Sequence, residues 1–190
     1  MARCCLPSLL LILAFGLQET RQQAWHEIVL KDHDCGMSSA YDLDGTESDC
    51  HGAINGNTSK YMLITRDHQN CIHTKWPDNA PCWWVDMGSV YTLYWIRIYA
   101  RNNQSTRLTY LRVAVDGHIV FDSGDTGPTI HYKDNNQNND PYFDITGDGP
   151  GISNMPVTGR NLTITRYQAT PPDAKNDMFI NICEVKVWGM

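Results

Sequence analysis

Helical periodicity is missing from this chain. No window of ten residues repeats its apolar side chains at a helical spacing. A second long apolar run is missing too. The one near-continuous apolar stretch, residues 6–17, is too short to cross a bilayer, so no membrane span is expected. Basic charge is in deficit, with 15 Lys and Arg against 21 Asp and Glu. That deficit excludes the basic face that nucleic acid requires and charge-driven adhesion to anionic membrane. There is no Cys-x-x-Cys and the histidines are scattered, which excludes an ordinary zinc site. Also absent are a Gly-x-Ser-x-Gly elbow, a His-Glu-x-x-His pair and a glycine-rich phosphate loop. No carboxylate pair sits in a glycosidase context. The chain is therefore expected not to be an enzyme.

What is present begins with an address. Met1-Ala2-Arg3 supplies a basic start, Leu9-Leu10-Leu11-Ile12-Leu13 an apolar centre, and Ala14 and Gly16 small residues near a cleavage point. The pattern predicts a secretory signal peptide over residues 1–20, cut between Gly16 and Ala24. The mature protein is expected to be secreted and soluble, about 170 residues long and about −7 in charge, the size of one domain. Cys4 and Cys5 leave with the leader. Cys35, Cys50, Cys71, Cys82 and Cys183 stay, in a compartment where disulfides form. Five is odd, so one is free or pairs between chains. Asn57, Asn103 and Asn161 each open an Asn-x-Ser/Thr sequon and are candidate glycosylation sites.

Residues 21–49 have no clear period and are expected to form an N-terminal extension of one edge strand and loops, closed by Cys35 and Cys50. From His51 onward the pattern is all-β. Trp83-Trp84-Val85-Asp86-Met87-Gly88 predicts a buried strand ending in a glycine turn. Residues 91–100 predict a strand with Ile96 and Ile98 on one face and Trp95, Arg97 and Tyr99 on the other. Leu111, Val113 and Val115 alternate up to Asp116-Gly117, and Ile119-Val120-Phe121 follow, a strong hairpin signal. Residues 162–164 and 183–188 predict further strands. Residues 122–159, with the Asx-rich runs 134–140 and 144–149, are expected to be solvated loop, since neither run fits an EF-hand. Many short strands with Gly, Pro and Asn turns predict a β-sandwich or barrel. Trp76, Trp83, Trp84 and Trp95 could offer a stacking surface, but Trp83 and Trp84 are expected in the core.

Several pieces occur in order: His51-Gly52-Ala53-Ile54-Asn55-Gly56-Asn57; Asn70-Cys71-Ile72-His73-Thr74; Pro81-Cys82-Trp83-Trp84-Val85-Asp86-Met87-Gly88; Tyr91-Thr92-Leu93; Gly159-Arg160; and Ile182-Cys183-Glu184-Val185-Lys186-Val187-Trp188-Gly189. Together they resemble an F-type lectin (fucolectin-related) domain over residues 50–190, and in particular the fucolectin-like modules of molluscan secreted proteins. The resemblance implies a jelly-roll β-sandwich of the galactose-binding, discoidin-like kind. It implies a Cys71–Cys183 disulfide. It implies a structural calcium held by Gly52 and Cys183 through their carbonyls and by Asn55, Asn57, Asn70 and Glu184, all oxygen donors as calcium requires. Asn55 stands where the family usually has Asp, and Asn70 where it has Ser.

The same resemblance implies a fucose clamp of His73, Arg101, Asn103 and Arg107. Arginine forks onto vicinal hydroxyls, histidine adds a directed hydrogen bond and an apolar wall takes the methyl group. Asn103 replaces the family's Asp, and the adjacent cysteine pair usual in that loop is absent. His73 and Arg101 have 27 residues between them, one more than the family pattern, and Arg107 comes one residue early. The expected function is therefore a secreted lectin for fucose or a related terminal sugar on glycans, homo-oligomeric if it gains strength by multivalency. The alternative is the same scaffold without sugar binding: an extracellular-matrix or protein-interaction module, its acidic Asx-rich loops suited to a biomineral setting.

Overall fold

The computed structural model describes residues 24–43, 45–58, 70–101, 105–132, 140–148, 154–168 and 178–190. The leader, Asn103 and the run 134–139 lie outside these. The strands are β1 (His26–Ile28), β2 (Cys35–Met37), β3 (Asp42–Leu43), β4 (Thr46–Glu47), β5 (Ile72–His73), β6 (Cys82–Ala100), β7 (Leu111–Val115), β8 (His118–Asp122), β9 (His131–Tyr132), β10 (Pro141–Thr146), β11 (Val157–Arg166) and β12 (Asn181–Gly189). Short 3-10 turns cover Cys50–Ala53 and Ser105–Leu108. Among the described residues every pairing is antiparallel.

The architecture turns on β6. Residues 83–88 and 91–100, expected as two strands, form one continuous strand of 19 residues. Burial alternates strictly over 82–87, breaks at the exposed residues 88–90, and resumes beyond them. Its first half pairs with β2 and β11, its second half with β10 and β12. One strand therefore serves both layers of the sandwich. Gly88 lies at the break with φ +78°, a backbone conformation that glycine adopts without cost. Asp86 steadies the bend, accepting from the Gly88 N–H at 2.8 Å and forked by the Arg160 guanidinium at 2.6 and 2.7 Å. β11 answers with a register shift between Gly159 and Asn161.

Ile96 and Ile98 point inward, fully buried, while Trp95, Arg97 and Tyr99 are half-buried on the outer face. Trp83 is core, with its indole N–H on the Cys50 carbonyl at 3.0 Å, whereas Trp84, also expected in the core, is only half-buried because alternation along β6 turns it to the outer face. Asp116 and Gly117 both have positive φ and turn β7 into β8, the mirror-image turn whose twist suits a hairpin. Phe121 from β8 meets Phe143 from β10 at 5.5 Å, closing the core between the layers.

Two further expectations need correction. The 122–159 span is not all solvated loop: it holds β9, the whole of β10 and the start of β11, with Phe143 and Ile145 buried, so Asp144, Ile145 and Thr146 of the 144–149 run are strand. Asp144 can sit in a sheet because Arg97, its register partner on β6, forks onto it at 2.7 and 2.9 Å and the Trp95 indole N–H adds a bond at 2.8 Å. The residues before His51 do more than supply an edge strand. β1 pairs with β12, β2 pairs with β6, and Ile28 and Leu30 enter the main core. Among the described residues the disulfides are Cys35–Cys50 and Cys71–Cys183, and Cys82 carries a free thiol. Among the described residues no helix is long and apolar enough to cross a membrane.

Candidate functional site

His73 ends β5, the short strand paired with the start of β12. Arg101 follows Ala100, the last residue of β6, and Ala100 is the register partner of Ile182 on β12. Adjacent strands thus place His73 and Arg101 at one end of one layer. Arg107 reaches the same end from the Ser105–Leu108 turn.

Two aromatic residues that the sequence reading did not single out join them. Tyr41 lies against the His73 ring with centroids 4.8 Å apart, and Phe179 stacks on His73 at 4.7 Å and 27°. The Arg107 guanidinium carbon lies 4.3 Å from the Phe179 ring centre, a cation–π contact. Arg101 is half-buried within electrostatic reach of Tyr41. Burial lowers its pKa, and Tyr41 partly restores it. The result is a row in which Tyr41, His73, Phe179 and Arg107 touch in turn, with Arg101 beside the first of them.

Backbone bonds fix the row. The His73 N–H donates to Ser48 Oγ at 2.8 Å, and the Tyr41 N–H donates to the His73 carbonyl at 2.8 Å. Thr74 and Ile180 are zipped by two hydrogen bonds: Thr74 N–H to Ile180 O at 3.1 Å and Ile180 N–H to Thr74 Oγ1 at 2.9 Å. That zipper delivers Phe179 to the histidine. His73 Nδ1 faces the Thr74 carbonyl at 2.5 Å, so Nδ1 carries the proton and any bond from the neutral ring to a ligand uses Nε2. The His73 side is well enclosed, with the residue only 8% exposed. A signal for Phe179 existed in the sequence: a Cys71–Cys183 bridge sets residues 179–181 opposite 73–74. Tyr41 had no such signal, because only the folded extension brings it here.

The second grouping surrounds Glu184. This residue is 4% exposed, and the Gly56 N–H sits 3.2 and 3.1 Å from its two carboxyl oxygens. Burial pushes its pKa from 4.5 up to about 7, only partly opposed by the Gly56 bond. The Asn57 N–H donates to Asn55 Oδ1 at 2.8 Å, and Asn57 Nδ2 donates to Asn70 Oδ1 at 2.6 Å. Gly56 has φ +82°, which lets the loop aim this one amide at the acid. Asn70 adjoins Cys71, Glu184 adjoins Cys183, and the disulfide ties the two cysteines. Gly52 is buried in the 3-10 turn that packs on β12. Glu184 offers a buried carboxylate, and Asn55, Asn57 and Asn70 offer amide oxygens, the kind of donor a hard divalent cation takes.

Of the sequon asparagines, Asn57 and Asn161 are exposed. Asn161 Nδ2 donates to Asp116 Oδ1 at 3.0 Å.

No family model matches the sequence, and no curated protein matches it. Solved structures do match. The fucolectin from striped bass (Morone saxatilis) serum superposes with a TM-score of 0.59 at 16% identity, covering 86% of this chain and 47% of that one. A Streptococcus pneumoniae fucose-binding module gives 0.56 at 18% identity, covering 87% and 98%. A family 32 carbohydrate-binding module of C. perfringens, solved with galactose, gives 0.55 at 18% identity, covering 87% and 99%. This chain spans about half the striped bass protein and nearly all of each bacterial module. The antiparallel jelly-roll sandwich of this chain is the fold of F-type lectins and of these bacterial modules.

Proposed function

We propose that this chain is a secreted carbohydrate-binding domain of the F-type lectin kind, taking a terminal fucose or a related sugar, with calcium as a structural ion. It binds and does not catalyse. The observation that carries the reading is the row of Tyr41, His73, Phe179 and Arg107, with Arg101 at its side. Guanidinium forks suit vicinal hydroxyls, and aromatic rings suit the apolar face and methyl group of a deoxy sugar. The fold-mates support the class of ligand: one is a fucolectin, one is described as fucose-binding and one was solved with galactose.

Calcium would be held by Glu184, Asn55, Asn57 and Asn70, with the carbonyls of Gly52 and Cys183. It would supply charge neutralisation for the buried acid and lock the 55–57 loop to β12. Asn103 would complete the clamp, and multivalency would require several such sites in a homo-oligomer.

A second reading has one observation in its favour. His73 is closed in by Tyr41 and Phe179, so the scaffold would serve as an extracellular-matrix or protein-interaction module without a sugar. Calorimetric titration with methyl α-L-fucopyranoside and methyl β-D-galactopyranoside, with calcium and then with chelator, decides between them. The lectin reading expects saturable heat from at least one sugar and its loss in Arg101→Ala. Silence toward both sugars at millimolar ligand, and toward a glycan array, leaves the module reading.

A further inference from the structure

Arg166 ends β11 and is 1% exposed, an unusual place for a permanently charged side chain. Its guanidinium faces two separate pieces of chain. Nε donates to the Thr109 carbonyl at 3.2 Å, and Nη1 donates to the Phe179 carbonyl at 3.3 Å. Its own N–H donates to the Pro81 carbonyl at 3.1 Å. Thr109 comes two residues after Arg107, and the turn between them is anchored from below. Ser123 Oγ donates to the Leu108 carbonyl at 2.7 Å and accepts from the Leu111 N–H at 2.8 Å.

From these contacts we propose that Arg166 is a positioning residue of the sugar site. It meets the row through the backbone carbonyl of Phe179. It holds the backbone that carries Phe179 and the backbone that follows Arg107 with one rigid planar fork. The separation of 4.3 Å between the Arg107 guanidinium and the Phe179 ring is thereby set from inside the core. A lysine could keep the charge at position 166 but reaches only one carbonyl as a point donor. The two walls of the site then lose their fixed spacing. The inference rests on the sugar-site reading above and extends it: discrimination between sugars with and without the ring methyl group belongs to Arg166 as well as to the residues that touch the ligand.

The experiment compares wild type, Arg166→Lys and Phe179→Leu. Each is titrated with methyl α-L-fucopyranoside and with methyl β-D-arabinopyranoside, which has the same ring without the methyl group, at a temperature where thermal melting shows every variant folded. Arg166→Lys is expected to bind the fucoside about tenfold more weakly, the loss of one well-placed charged hydrogen bond. It should also lose most of the wild-type preference for the fucoside, as Phe179→Leu does. A lower melting temperature with both affinities unchanged would show a purely structural arginine and overturn the proposal. Should Arg166→Lys not fold, wild-type nitrogen-15 NMR gives the answer. The Arg166 Nε–H resonance is expected to shift with the fucoside along the same saturation curve as the calorimetry, and a resonance that stays put overturns the proposal. Wild type that binds neither sugar removes the site itself, an outcome distinct from a wild type that binds while Arg166→Lys matches it.

Discussion

His73 is the residue where scaffold and site are hardest to separate. It is sandwiched between two rings and bonded to Ser48, Tyr41 and Thr74. Replacing it would therefore cost stability and binding together. Arg107 separates them better, since it lies over Phe179 at the end of the row. Arg107→Lys keeps the charge and loses the planar face and the fork. Its fucoside affinity should fall about tenfold while its melting temperature moves little, as calorimetry beside thermal melting would show. Glu184 gives a prediction with a defined pH window. Its folded pKa of about 7 lies above the ordinary 4.5, so without metal the native state binds the extra proton between those values. The stability it contributes is full below pH 4.5 and is lost as pH rises through 7, on the order of 3 kcal/mol in all. In chelator the melting temperature should fall across that window. Calcium should restore it at pH 7.5 by binding the folded state, and Glu184→Gln should flatten both responses. An unchanged melting curve on adding calcium would remove the metal from this site.

At the scale of the elements, alternation was the readable signal. Ile96 and Ile98 against Trp95, Arg97 and Tyr99 gave the inner and outer faces of β6 from spacing alone, and Asp116-Gly117 gave the hairpin of β7 and β8. β10 was hidden because Pro141, Asp144 and Gly147 resemble loop. The Arg97–Asp144 pair that makes an acid tolerable there joins residues 47 apart, which no local window contains. Burial disfavours the Arg97 charge, but Asp144 outweighs it and holds the proton more firmly. The continuity of β6 was hidden for the opposite reason: a glycine that looks like a terminator acts as a hinge between layers. The candidate site was legible in its basic residues, named from a family resemblance, and illegible in Tyr41 and Phe179, which arrive through the extension and the Thr74–Ile180 zipper. Gly159 tests the bend. A Cβ there would lie 2.5 Å from Val115 Cγ1 and 2.7 Å from Asp116 Oδ2, so Gly159→Ala should cost about 1–3 kcal/mol by overpacking. Denaturant unfolding would measure it, and a stability within error of wild type would mean the bulge can relax.

At the scale of the whole molecule, the Cys71–Cys183 bridge closes a separation of 112 residues and so restrains nearly the entire sandwich in the unfolded chain. Replacing both cysteines by alanine should cost about 2–5 kcal/mol. It should also weaken any calcium response, because Asn70 and Glu184 are the neighbours of the two cysteines. Chemical unfolding with and without calcium would report both effects, and a double variant that keeps the full calcium shift would separate the metal site from the bridge. The same face of the molecule carries its own optical label. Trp95 and Trp188 stack across β6 and β12 with centroids 4.2 Å apart and planes 21° from parallel, and Trp25, just ahead of β1, meets Trp95 edge-on at 6.1 Å. Indoles this close share their electronic transitions, and the twist between them gives the shared excitation a handedness. Folded protein should therefore show an exciton couplet in circular dichroism that Trp188→Phe removes, turning the register of the last strand against the central one into a colourless dye that needs no label.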